Sequence, residues 1–140
     1  MNRIFALLYG VVCYVVFFGT FLYLIRFMGN LYVPRSVDVG PAAPTAVALI
    51  INLALIALFG IQHTVMARPG FKEVWTRVVP KSVERSTYVL LSSLVLILMF
   101  WAWRPMTAVV WEMESVLAQN LMWAIFFGGI GLVLASTFVI

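Results

Sequence analysis

Four long apolar stretches occupy most of the 140 residues, and nothing constrains the folding of this chain more. Residues 4–25 carry no charged side chain and are fenced by Arg3 and Arg26. At 1.5 Å rise per residue, a helix of that length crosses a hydrocarbon core of roughly 30 Å. Hydrophobic residues make up 64% of the chain and charged residues 10%, where soluble domains carry about 25% charged residues. A water-soluble fold of this size could not bury so much apolar surface. A cleavable signal sequence would also begin with a basic residue and an apolar run, but its core is about 7–15 residues and ends at small residues. Here the run is longer and ends in Tyr23-Leu24-Ile25, so it is expected to stay in the mature protein.

The second span is expected from Thr45 to about Ala67. It begins after the breaker Val39-Gly40-Pro41-Ala42-Ala43-Pro44 and ends at Arg68-Pro69, because proline disfavours helical geometry in the residue before it. The third is expected over 82–103, between Pro80 and Arg104-Pro105. The fourth is expected over 121–140, with Trp123 as an interfacial aromatic. The predicted fold class is all-α: a polytopic membrane protein with one transmembrane domain of four spans over residues 1–140.

Basic residues set the orientation. Arg3, Arg68, Lys72, Arg77, Lys81 and Arg85 fall on one side, and only Arg26, Arg35 and Arg104 on the other. The positive-inside rule then puts both termini in the cytoplasm, of a bacterial inner membrane. The net charge of +4 reports this orientation, and no nucleic-acid partner is expected. Cys13, the single cysteine, lies in the first span and reads as a small buried hydrophobe. Between spans two and three, Phe71, Val74, Trp75 and Val78 recur at helical spacing, with Lys72, Glu73, Thr76 and Arg77 on the other face. A short interfacial helix is expected there, over about 70–79.

Polar side chains inside the spans are few, and each is costly in lipid unless paired. Asn52, Phe59 and His63 lie seven and four positions apart, on one helical face, and Gln62 adjoins them. That face should look into the bundle. His63, the only histidine, reads either as a hydrogen-bonded structural group or as a substrate-facing base, since imidazole exchanges protons near neutral pH. In the fourth span, Ala124, Gly128, Gly131 and Ala135 form a small-residue stripe suited to close helix packing. Glu112 and Glu114 are two apart and share no helical face, so a paired-carboxylate site is not expected. No metal site is expected, since no ligand spacing occurs. A proton-driven exporter would need a carboxylate within a span, and a bis-histidine haem anchor needs two histidines.

Several segments together resemble the membrane methanethiol S-methyltransferases, in the nurim family and related to NnrU-type and isoprenylcysteine carboxyl methyltransferase-like proteins. They are residues 59–69 (FGIQHTVMARP), 75–80 (WTRVVP), 84–90 (ERSTYVL) and 101–105 (WAWRP). The resemblance implies an S-adenosylmethionine-dependent enzyme that methylates a small volatile thiol, methanethiol, to dimethyl sulfide. On this reading Gln62 and Asn52 contact the substrate and His63 is catalytic, assisting thiol deprotonation. Members of the family continue past the fourth span into a second half, whose Arg-His-Pro segment and paired glutamates are associated with S-adenosylmethionine. That half has no counterpart here, so the chain is expected to be an N-terminal portion with little turnover by itself, completed by a C-terminal half or a second chain. The alternative is a non-catalytic membrane module of the nurim or NnrU type.

The orientation can be checked with single cysteines. Thr76→Cys should react with an impermeant maleimide only from the cytoplasmic face, and Thr107→Cys only from the opposite face. The reverse labelling pattern would refute the charge-based topology.

Overall fold

The computed structural model describes residues 2–139, which form five helices and no strand. They are α1 (Arg3–Met28), α2 (Thr45–Ala67), α3 (Pro69–Trp75), α4 (Glu84–Ala102) and α5 (Val116–Val139). All but α3 are long and apolar enough to cross a bilayer, which makes this a multi-pass membrane protein. The described residues up to Met106 form one compact unit, and those from Thr107 a second.

In the first unit α4 is the hub on which both α1 and α2 pack. Against α1 the contact is made by small residues. Cys13 and Thr20 are buried on α1, and Ser93 on α4. A Cβ placed on Gly10 would stand 3.3 Å from Ser86 Oγ, so the glycine allows the backbones to approach closely, as small residues do between membrane helices. The buried hydroxyls answer to their own helices. Thr20 Oγ1 donates to Val16 O at 2.7 Å and Ser93 Oγ to Val89 O at 2.8 Å, so neither is orphaned in the contact. Thr87 Oγ1 donates to Val83 O, so the 3.0 Å contact between Tyr9 Oη and Thr87 Oγ1 has the tyrosine as donor.

At the far end of α1 and α4 the packing turns aromatic. Phe27, Leu96 and Phe100 are buried together, flanked by Tyr23 and Trp103. The Phe100 ring centroid lies 5.0 Å from that of Phe27 and 4.8 Å from that of Tyr23, within the range of favourable aromatic pairs. The connection after α1 is pinned over this cluster. Val37 N donates to Phe27 O, Trp103 Nε1 donates to Val37 O, and Tyr23 Oη donates to Arg35 O. Asn30 and Tyr32 take the left-handed conformation at φ 54° and 50°. Arg26 holds that turn by donating to the carbonyls of Leu31 and Tyr32.

A reciprocal bond joins α2 to the end of α4. Asn52, buried on α2, donates from Nδ2 to Arg104 O at 2.6 Å and accepts at Oδ1 from Arg104 N at 2.9 Å. A chain leaving a helix beside Pro105 has backbone groups with no intrahelical partner, and Asn52 satisfies both of them at Arg104.

Helix ends depart from the sequence expectation in four helices. α1 reaches Met28 rather than residue 25, because Arg26 sits in its last turn, where a cation suits the helix dipole. α3 ends at Trp75, not near residue 79. Beyond it Arg77 N and Val78 N bond three residues back, to Val74 O and Trp75 O, as tight turns. Phe71 and Trp75 stack at 5.7 Å and are half-buried, while Val74 and Val78 of the expected apolar face point outward. α4 spans 84–102, slightly inside the expected 82–103. Within the second unit α5 begins at Val116, five residues before the expected 121. Ser115 precedes it, and its Oγ accepts from Ala118 N at 3.4 Å, the geometry of an N-cap. Trp123, Phe126 and Phe127 form an aromatic group on α5, and most side chains of this helix are exposed.

Replacing Asn52 by Leu strands two buried backbone groups and should cost about 2 kcal/mol or more. Thermal unfolding in detergent should show a clear drop for Asn52→Leu and little change for Leu53→Ala, whose side chain is exposed. Equal melting of wild type and Asn52→Leu would disprove this role.

Candidate functional site

The polar groups of α2 and α4 meet at the end of the helix pair nearer α3. His63 comes from α2. Tyr88 and Ser92, four residues apart and hence on one face, come from α4. Ser92 Oγ lies 3.3 Å from His63 Nδ1 and 3.3 Å from Gln62 Nε2. Tyr88 Oη lies 3.0 Å from both ring nitrogens of His63. The in-plane directions of those two nitrogens diverge, so an oxygen equidistant from both at hydrogen-bond range sits above the ring plane. One hydroxyl hydrogen can serve only one of them. Phe59, one turn earlier, stacks on His63 with centroids 5.2 Å apart and planes 25° apart.

Ser92 is buried, Gln62 and Tyr88 are half-buried, and the imidazole is exposed at the surface of the unit. The cluster therefore presents a base at the edge of an otherwise apolar helix pair. Gln62 Nε2 also approaches Met66 Sδ at 3.1 Å, a weak acceptor, and Oε1 is buried with no partner among the described residues. Trp75 Nε1 on α3 is likewise buried and unpartnered. The nearest charges along α4 are Arg85 and Glu84 in its first turn, about one turn before Tyr88; Arg85 is exposed and Glu84 is half-buried. The Glu84 carboxylate pairs with Lys72 of α3 at 3.9 Å. Among the described residues no group of histidine, cysteine and carboxylates could hold a metal ion.

Of the three residues singled out from sequence, Gln62 and His63 come together here and Asn52 does not. It lies eleven residues back, about 16 Å along the helix, with both ends of its amide engaged by the Arg104 backbone. Helical spacing groups residues by face but not by depth. Tyr88 and Ser92 were not singled out, although their own spacing of four in an apolar span is the signal that would have found them.

A multi-pass helical membrane protein with a histidine, glutamine, serine and tyrosine cluster between two spans is the class that the fold and site define. Within that class the chain is a relative, along its whole length, of proteins named methanethiol S-methyltransferase. It is 49% identical over 140 residues to the one from Mycobacterium tuberculosis, covering 100% of this chain and 57% of that protein. It is 51% identical over 142 residues to methanethiol S-methyltransferase 1 of Bradyrhizobium diazoefficiens, covering 99% and 50%. It is 44% identical over 140 residues to that of Crocosphaera subtropica, covering 100% and 55%. The chain thus spans about half the length of the curated relatives it matches. No family model matches it, and no solved structure does.

Proposed function

We propose that this chain serves the S-methylation of methanethiol to dimethyl sulfide, with S-adenosylmethionine as methyl donor, and that the cluster around His63 borders the thiol site. The observation that carries this is the placement of the only histidine, exposed on a membrane-spanning helix and met by two hydroxyls from its neighbour. The names of the relatives supply the reaction. The expected orientation, with the Lys72 and Arg77 end in the cytoplasm of a bacterial inner membrane, puts the cluster near the cytoplasmic face.

The cluster can prepare a thiol. The two ends of a glutamine amide are nearly isosteric, and either can face Ser92. With the Gln62 oxygen turned to Ser92, the serine hydroxyl donates there and accepts from His63 Nδ1–H. That order leaves the Nε2 lone pair free to take the proton of a methanethiol S–H. The sulfur becomes a thiolate, the imidazole becomes imidazolium, and Tyr88 Oη is the donor nearest the new negative charge. Phe59 packs one face of the ring and keeps water from it.

S-adenosylmethionine is different. It presents a ribose diol, an adenine and a zwitterionic amino-acid head. No carboxylate among the described residues stands at the cluster, and Glu84 is engaged by Lys72. The described residues at the cluster supply no acidic group for the donor's ribose diol. We assign its binding to the length of the relatives that this chain does not span.

The test is dimethyl sulfide formation from methanethiol, read by headspace chromatography in membranes containing the chain, alone and with the remaining length of the Mycobacterium tuberculosis relative. His63→Ala should lower the rate by about a hundredfold or more, as loss of a general base does. Tyr88→Phe and Ser92→Ala should have smaller effects. Wild-type turnover by His63→Ala would remove the histidine from the mechanism.

A further inference from the structure

A second feature lies toward the opposite end of α1 and α4, beyond Ser92 along α4, and it sits between α4 and α1, whereas the His63 cluster lies between α4 and α2. There a groove of about 380 Å³ opens between α1 and α4, a size typical of small-molecule sites, about 300–1,000 Å³. Its walls are Gly19 and Tyr23 of α1 with Ile97, Phe100 and Trp101 of α4, and Arg35 stands at its edge. Gly19 gives the groove its depth, since a Cβ there would meet nothing within 4 Å. Tyr23 has its hydroxyl engaged by Arg35 O, so it offers the groove its ring.

The charge at the edge is unusual. Arg35 is half-buried, donates from Nη1 to Trp101 O, and holds its guanidinium carbon 5.9 Å from the centroid of the Trp101 ring. A guanidinium carries five N–H donors. The sole ion pair among the described residues is Lys72 with Glu84, so Arg35 has no carboxylate partner. An apolar slot along two membrane helices, closed by a cation with donors to spare, matches a molecule with a hydrocarbon tail and an anionic head. We propose that this groove binds an anionic phospholipid, with an acyl chain along Gly19 and Phe100 and the phosphate at the Arg35 guanidinium. Arginine suits a phosphate because its planar fork meets two oxygens at once, and Trp101 lies in the last turn of its span, as interfacial aromatics do. The proposal is independent of the thiol chemistry and stands or falls without it.

The test uses the 140-residue chain in detergent, with phosphatidylglycerol or phosphatidylcholine added and the retained lipid counted by native mass spectrometry. Phosphatidylglycerol should be retained about fivefold over zwitterionic phosphatidylcholine, the worth of one cation beside a head group of net negative charge. Arg35→Gln should bring the ratio to one, and Arg35→Lys should keep most of it, which separates lost charge from lost fold. Gly19→Leu fills the slot and should reduce retention of both lipids while leaving the melting temperature unchanged. Undiminished preference in Arg35→Gln, or full retention of both lipids by Gly19→Leu, would overturn the proposal. Equal discrimination for water-soluble glycerol phosphate would show an anion site without a lipid and overturn it too.

Discussion

A polar group without a partner costs several kcal/mol in hydrocarbon, and the first unit is organised around meeting that demand on both sides of α4. Toward α1 the hydroxyls of Thr20 and Ser93 fold back onto their own carbonyls, which frees the surfaces for close contact between small residues. Toward α2 the demand is met between helices, by Asn52 at one end and by Gln62, His63, Tyr88 and Ser92 at the other. The two sides of one helix therefore differ in kind. The α1 side is closed and satisfied, while the α2 side carries an exposed imidazole and a glutamine amide with one end unmet.

That asymmetry is the reason the proposed thiol site is assigned to the α2 side. A structural histidine in a span is expected to be enclosed with its hydrogen bonds complete. His63 is neither enclosed by this unit nor paired in the plane of its ring by Tyr88, whose hydroxyl rides over it. Relatives that align with the whole of this sequence are about twice as long.

Fold class and span number were legible because lipid imposes length and uniform hydrophobicity together, and the prolines at 44 and 69 fix α2 to the residue. What was less legible turned on local polar contacts. Ser115 starts α5 by capping it, five residues before the boundary expected at 121. Arg26 ends an apolar run by composition but prolongs α1 by binding carbonyls beyond it. In the site, the face of α2 was readable from the spacing of Asn52, Phe59 and His63, because helical periodicity survives any environment. The partners on α4 were not, since which face of one helix meets which of another depends on packing that no single periodicity encodes. Asn52 shows the same limit from the other direction: its face was right and its occupation was the backbone of Arg104.

The clasp between Asn52 and Arg104 has a mechanical consequence. Two hydrogen bonds from one side chain to the N–H and C=O of a single residue resist both sliding and rotation of the end of α4 against α2, so they act as an index mark for the pair. The offset between His63 and Ser92, a full eleven residues away along α2, is thereby set from a distance. Thickening or thinning of the bilayer would have to tilt both rods together, carrying imidazole and hydroxyl as one rigid assembly instead of shearing them apart.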